Sequence, residues 1–317
     1  MRGSRTLARL ITVVIAVIVT PVAVGLLSSG GTSWLMTYFQ YGGARDGFGS
    51  LMMPTLLQAL GILLLIAVVL TGIWSSAGLI AAGVMAVVPL LLALLPALLL
   101  ESYRMLGPIL PREWLDGLTY GIPLVLLPAL GAMGIVLAIV RHRPQRTATG
   151  LSIIGLVAAP VLLAAGIWLL SWGIARGQFT ALQQFRFDFL PDAAAAVLLG
   201  TLLSVAGVLA TRWSTFALVL PAAVLLLLGL LVLVPDAVFM MVGRIPMVGR
   251  TLPQLLILGV GTAVALVYLA FTAVLLRVRK QAMSTAAGTG ESPFPAAGYP
   301  PVPAPPYPPQ YPPAAGT

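Results

Sequence analysis

The sequence predicts an all-α integral membrane protein of eight transmembrane helices, arranged as two parallel four-helix repeats and followed by a disordered Pro-rich cytoplasmic tail. The first observation is composition: the 317 residues are 60% hydrophobic and 8% charged, which leaves too little polar surface for a water-soluble fold. The second is a series of apolar runs, each near the roughly 20 residues that a helix needs to cross a bilayer. The third is a set of residues that recur at a constant spacing.

Charged residues, Gly or Pro separate the apolar runs, and the runs give the eight predicted spans. In chain order these are Leu10–Leu27, Met53–Ile73, Ala77–Leu100, Leu118–Val140, Leu151–Trp172, Ala193–Thr211, Ser214–Val234 and Leu255–Leu276. The first run follows three arginines but is longer than the apolar stretch of about 7 to 15 residues in a signal peptide, so we expect an uncleaved anchor. After it the sequence predicts a long outer loop, Ser28–Leu51.

Residues that are rare in an apolar chain recur in its two halves at a spacing of 139. The pairs are Pro21 and Pro160, Gly61 and Gly200, Trp74 and Trp213, Ser75 and Ser214, and Pro96 and Pro235. Beyond the last pair the second copy is three residues shorter, and the spacing becomes 136. The pairs there include Arg141 with Arg277 and Arg143 with Arg279. These matches indicate a duplication, and chance periodicity in a biased composition is the alternative.

The duplication divides the chain into a first repeat at 1–143, a second repeat at 144–280 and the tail at 281–317. Each predicted repeat holds four spans. Because four is an even number, both repeats enter the membrane from the same side, which makes the repeat parallel rather than inverted. Substrate sites of repeated transporters commonly lie between the repeats, so the seam between the halves is where a cavity is expected.

The distribution of charge predicts the orientation. The net charge is +9, and with the N-terminus inside, ten of the 17 basic residues fall on the cytoplasmic side at span ends, where the positive-inside rule applies. We therefore predict a multi-pass protein of the plasma (inner) membrane, with both termini cytoplasmic and the lipid bilayer as its first partner. Its basic residues form no contiguous patch, so no nucleic-acid partner is expected. The excess of Arg over Lys is typical of a bacterial protein from a GC-rich genome.

The chain offers few residues for catalysis. It contains no Cys and one His, His142, which excludes disulfides, thiolate metal sites, a Cys nucleophile and most catalytic triads. No Asp, Glu, Lys or Arg falls inside a predicted span, which argues against a proton relay or an ion-coupled pump. We therefore predict no catalytic residue, no cofactor and no metal site.

Two groups of residues are candidate functional features. The candidate helix kinks at the repeat seam are Pro21, Pro160, Gly61 and Gly200. Broken helices can line a cavity, but Pro is also commoner in membrane helices than in soluble ones. The candidate polar cluster of the outer face is Glu101, Arg104, Arg112, Asp116, Asp188 and Asp192. In this cluster two pairs are spaced to interact along a helix, Glu101 with Arg104 and Arg112 with Asp116.

The tail carries tyrosines among its prolines, a composition that favours the extended polyproline II conformation bound by aromatic-lined grooves. Three functions fit the whole sequence. The first is a permease or lipid-handling protein with a cavity at the repeat seam. The second is a noncatalytic scaffold with a filled seam, which recruits a cytoplasmic or membrane protein through its tail or outer loops. The third is a membrane enzyme, which needs two outer carboxylates close together above a pocket.

Overall fold

The computed structural model describes residues 2–41, 49–142, 149–185, 187–232, 240, 244 and 251–288. Within these ranges every regular element is a helix. Seven stretches of the described chain are long and apolar enough to cross a membrane, which supports a membrane-embedded protein. Three predicted features fall partly or wholly outside the described residues. They are the outer loop at 42–48, the boundary between the repeats at 143–148, and the tail from residue 289 onward.

The helices are numbered in chain order. They are α1 Arg2–Tyr41, α2 Gly49–Thr71, α3 Ala77–Val84, α4 Val87–Leu94, α5 Pro96–Leu106, α6 Arg112–Thr119, α7 Ile122–His142, α8 Thr149–Ile174, α9 Thr180–Gln184, α10 Pro191–Leu209, α11 Val219–Leu231, α12 Thr251–Ile257 and α13 Val260–Gly288. A π-helical segment, Ala175–Phe179, joins α8 to α9, and a 3₁₀ turn, Ala210–Arg212, follows α10.

The seven candidate spans correspond to seven of the eight predicted ones. They are Thr6–Tyr38, Leu51–Thr71, Ala77–Leu94, Ile122–His142, Gly150–Gln184, Pro191–Arg212 and Val260–Ser284. The predicted span at Ser214–Val234 coincides with α11, an apolar helix of 13 residues. That helix is shorter than the thickness of a hydrocarbon core, and residues 233–239 beyond it are outside the described ranges.

The first helix extends much farther than the sequence predicts. It runs to Tyr41, so the first part of the expected outer loop, Ser28–Leu51, is helical instead. The side chains of Ser28 and Thr32 explain this difference, because each donates a hydrogen bond to the carbonyl four residues earlier, at 2.9 and 2.8 Å. A Ser or Thr hydroxyl that bonds to a carbonyl of its own helix does not compete for the backbone groups beyond it, so the helix can continue.

The third predicted span, Ala77–Leu100, is divided into α3, α4 and the start of α5. Pro89 causes the first break, because it has no N–H to donate to the carbonyl of Met85 and its ring crowds that carbonyl. The carbonyl of Met85 accepts a bond from the amide of Val88 at 3.3 Å, which is the tighter 3₁₀ pattern. Pro96 then occupies the first turn of α5, where a missing N–H costs nothing.

Helices α7 and α13 form the centre of the bundle. Antiparallel pairs flank them, α1 with α2 on one side and α8 with α10 on the other, while α3 packs on α7 and α11 packs on α13. The outer faces of the flanking helices expose large apolar side chains, which suits a surface in contact with lipid. Examples are Leu7, Ile18, Leu63, Ile153, Leu202 and Leu227.

Candidate functional site

The largest contacts between the two halves of the chain are those of α7 with α13, α2 with α13, and α7 with α10. Several large side chains of the two central helices have no accessible surface: Leu130, Met133 and Leu137 of α7, and Phe271 and Leu275 of α13. Such a side chain borders no space that would admit a water molecule. At these positions the core around α7 and α13 is therefore closely packed.

Gly61 and Gly200 allow close helix crossings. A Cβ atom on Gly61 would lie 2.7 Å from the carbonyl oxygen of Ala23 in α1, and one on Gly200 would lie 2.7 Å from the amide nitrogen of Leu170 in α8. Only glycine permits backbones to approach this closely. The nearest neighbours of both glycines belong to the same half of the chain, which differs from their predicted position at the seam.

Pro21 and Pro160 lie inside helices that continue past them, α1 and α8. Neither helix is interrupted at its proline, and the kinks predicted at these two positions stay predictions. The break in the helical backbone occurs instead near Pro89.

The outer-face polar cluster centres on a residue that the sequence did not single out, Tyr103. Its hydroxyl donates a hydrogen bond to Oδ1 of Asp116 at 2.8 Å and lies 2.9 Å from Oγ1 of Thr119. Burial raises the pKa of Tyr103 well above its ordinary value; the bond with Thr119 opposes this rise and the bond with Asp116 adds to it. The hydroxyl therefore stays protonated at neutral pH, and it ties α5 to α6.

The predicted ion pairs have different outcomes. Glu101 and Arg104 form the expected pair, with 2.9 Å between Oε1 and Nη1, and both side chains are exposed. Asp116 bonds with Tyr103, and the expected pair with Arg112 is not formed. An exposed pair of this kind contributes at most about 1 kcal/mol.

The remaining outer residues are dispersed. Asp192 pairs with Arg176 at 3.3 Å, a contact between the π-helical segment and α10 that the sequence did not predict. Asp188 is exposed in the segment before α10. Within the described ranges, no group of three His, Cys, Asp or Glu side chains is placed to hold a metal ion. Carboxylates that are exposed or held by local partners lack the water-poor site that acid–base catalysis needs.

Four polar side chains inside the described bundle have atoms without a hydrogen-bond partner. They are Thr20, Gln58, Ser171 and Gln178. Gln178 has the largest deficit: it is 1% exposed, and both its amide oxygen and its amide nitrogen are unpaired. Each unpaired buried group costs about 1 to 3 kcal/mol. Gln178 also lies in the π-helical segment, a conformation that is frequent at functional sites.

The two ends of the bundle differ in charge. One end, the basic end, holds eight Lys or Arg residues: Arg2, Arg5, Arg9, Arg141, Arg212, Arg277, Arg279 and Lys280. The other, the acidic end, holds every acidic residue in the described part of the chain: Glu101, Glu113, Asp116, Asp188 and Asp192. Contacts fix this arrangement, because Gly78 at the start of α3 packs on Thr12 of α1, whereas Gly31 farther along α1 packs on Leu258 just before α13. The first helix begins, and the last ends, at the basic end.

Arg141, in the last turn of α7, caps a tight turn at the basic end. Its Nη2 donates hydrogen bonds to the carbonyl oxygens of Gly72 and Ile73, the latter at 2.9 Å. These carbonyls follow the C-terminus of α2, where helical carbonyls lack partners and a cation is favourable. The contact therefore fixes the end of α7 to the turn between α2 and α3.

Arg279 of α13 makes the same kind of contact with the turn after α10. Its Nη2 donates to the carbonyls of Thr211 and Arg212, at 3.1 and 2.7 Å. Each central helix is thus fastened at its basic end by one arginine to two consecutive carbonyls. The sequence paired Arg141 with Arg277 and Arg143 with Arg279, but it did not identify backbone carbonyls as partners of these arginines.

Comparison with protein-family models, with curated proteins and with solved structures gives no match for this chain.

Proposed function

We propose that residues 1–143 and 144–280 are two parallel copies of one four-span unit, with α11 as part of an eighth span. The arginine caps support this architecture, because Arg141 and Arg279 are 138 residues apart. The described glycines with positive φ support it independently. These are Gly121 at 74° and Gly259 at 79°, also 138 apart, and each directly precedes a central helix.

Helix contacts are consistent with the same relation. The pair α1 and α2 corresponds to α8 and α10, and the contact of α2 with α13 corresponds to that of α10 with α7. An axis along the membrane normal, between α7 and α13, would relate these contacts. A spacing of 138 replaces the predicted 136 for the last span of each copy, so that Arg141 corresponds to Arg279 rather than to Arg277.

The separation of charge supports an orientation in which the basic end faces the cytoplasm. In this orientation both termini are cytoplasmic, and the acidic end faces outward in the plasma membrane of a bacterial cell. The tail at 281–317 then starts at the cytoplasmic surface, on a helix that Arg279 anchors to the bundle.

We infer that the protein is a noncatalytic membrane scaffold that recruits a protein partner through its Pro-rich tail. The observation that carries this proposal is the close packing of the core around α7 and α13, because a transport path along these helices would need space beside them. The composition of the tail supplies the recruiting element, since prolines interspersed with tyrosines are recognised by grooves lined with aromatic side chains.

A photo-crosslinking experiment tests the scaffold function. With p-benzoyl-phenylalanine in place of Tyr307, irradiation of cells is expected to link the full-length protein to one discrete protein partner. A tail in which the prolines of 289–317 are replaced by alanine keeps its length but loses the polyproline II conformation, and it is expected to lose the adduct. The same photoreactive residue at the lipid-facing position Phe216 is the control and should give no such adduct. An adduct that persists with the alanine tail would contradict the proposal.

A permease for small uncharged polar solutes is the second candidate. The unpaired amide of Gln178 and the unpaired hydroxyl of Ser171 favour it, because an uncharged solute could supply their missing hydrogen bonds. In hypertonic glycerol, vesicles first shrink as water leaves and then swell as glycerol enters. Proteoliposomes carrying the protein should swell faster than empty ones, as followed by light scattering, and Gln178→Leu should abolish the difference. The exposed Gln183→Leu on the neighbouring helix is the matched control. Equal rates with and without protein would eliminate this candidate for glycerol-sized solutes.

A further inference from the structure

The basic end of the second half carries a group of cations at one corner of the bundle. At this corner the bond from Arg279 to the carbonyl of Arg212 holds the end of α13 against the turn after α10. Arg277 and Lys280 flank Arg279 on the same helix and are both exposed, while Arg212 is half-buried. We call Arg212, Arg277 and Lys280 the basic corner.

The positive charge of the basic corner is not neutralised within the described protein. The two ion pairs that the described residues form, Glu101 with Arg104 and Arg176 with Asp192, both lie at the acidic end. Every described acidic residue lies at that end as well. The basic corner can therefore attract an external anion, and in a bilayer the nearest anions are the phosphates of lipid headgroups.

The surroundings of the corner fit a phospholipid better than a soluble anion. Trp213 directly follows Arg212 and is exposed, as is common for a tryptophan at the level of the headgroups. Phe216 and Leu220, farther into the membrane, and Leu276 beside Arg277 are exposed and apolar. A phospholipid would place its negative headgroup beside the cations and its apolar chains along these exposed apolar side chains.

We propose that the basic corner binds the headgroup of an anionic phospholipid. Specificity comes from charge, since zwitterionic phosphatidylcholine has no net charge to offer the three cations. The corresponding corner of the first half lacks these cations, a comparison that rests on the proposed duplication. At spacings of 139 and 138, Ile73, Ile139 and His142 stand where the second half has Arg212, Arg277 and Lys280.

Native mass spectrometry of the detergent-solubilised full chain, titrated with dioleoyl phosphatidylglycerol or dioleoyl phosphatidylcholine, tests the proposal. We expect the first phosphatidylglycerol to bind at least about tenfold more tightly than phosphatidylcholine, given the attraction per basic residue near a membrane surface. Two triple variants with the same change in charge are compared. The corner variant is Arg212→Gln, Arg277→Gln and Lys280→Gln, and the control variant is Arg104→Gln, Arg112→Gln and Arg176→Gln.

The corner variant should lose the preference for phosphatidylglycerol, and the control variant should keep it. Arg279 is left in place, so the unfolding midpoint of the corner variant in phosphatidylcholine should equal that of the natural chain. A preference that survives in the corner variant, or that falls equally in both variants, overturns the proposal. So does complete displacement of phosphatidylglycerol by an equal concentration of inorganic phosphate, because the site would then recognise phosphate without lipid.

Discussion

Replacement of Gly200 by leucine is expected to separate α8 from α10 and to destabilise the protein by at least about 3 kcal/mol, at the upper end of the usual cost of overpacking. The reason is the nature of the neighbours. A Cβ atom at this position would lie 2.7 Å from the amide nitrogen of Leu170 and 2.8 Å from the carbonyl oxygen of Gly166. Both atoms belong to the backbone, which cannot rotate away as a side chain can. The measurement is the thermal unfolding midpoint by circular dichroism in lipid nanodiscs.

Gly150 supplies the matched control for this substitution. It lies near the start of α8, and a Cβ atom there would meet no other atom within 4 Å. Gly150→Leu should therefore leave the midpoint unchanged or raise it, since leucine has the higher helix propensity. The equivalent position in the first half, Gly61, should behave as Gly200 does. If Gly200→Leu and Gly150→Leu unfold at the same temperature, the close crossing of α8 and α10 is absent.

Replacement of Arg279 by alanine is the second large effect expected. It removes two hydrogen bonds from a charged donor and leaves the carbonyls of Thr211 and Arg212 without their partner. With about 1.5 to 3 kcal/mol for a bond to a charged group, we expect a loss of about 3 kcal/mol in the free energy of unfolding. Urea unfolding in mild detergent, followed by tryptophan fluorescence, measures it.

Arg277, two residues earlier on the same helix, is the matched control because its side chain is exposed. Arg277→Ala should change the free energy of unfolding by no more than about 0.5 kcal/mol. Arg279→Lys should restore only part of the loss, because an ammonium group lacks the fork that lets a guanidinium reach two carbonyls. Equal effects of Arg277→Ala and Arg279→Ala would show that the arginine cap does not stabilise the fold. The proposed duplication would then lose one of the observations that support it.

The length and position of most membrane helices could be predicted because lipid solvation acts on each residue nearly independently. The composition of an apolar run such as Leu151–Trp172 is enough to predict a membrane span, whatever that helix packs against. The exceptions have local causes. Ser28 and Thr32 are polar and therefore favour a loop when the sequence is read alone. In the structure their hydroxyls donate to carbonyls within α1, so both side chains are satisfied and the helix continues past them.

The candidate site was harder to predict because it depends on contacts between distant parts of the chain. Tyr103 meets Asp116 only once α5 and α6 are folded against each other, and no helical spacing joins two residues thirteen positions apart. The same applies to Gln178, which lies beyond the predicted span Leu151–Trp172 and is nevertheless buried in the folded chain. The correspondence of Arg141 with Arg279 also could not be predicted, because it is recognised only from the carbonyls that the two side chains bind.

The sequence by itself determined that this is a helical membrane protein, where most of its spans lie and where its charges concentrate. Only the tertiary structure decided which helices are central, which of their side chains are buried and which arginine caps which turn. The physical reason is the solvent. In water an apolar stripe reveals the buried face of a helix, but lipid is as apolar as leucine, so a uniformly apolar helix carries no mark of the side that faces its neighbours.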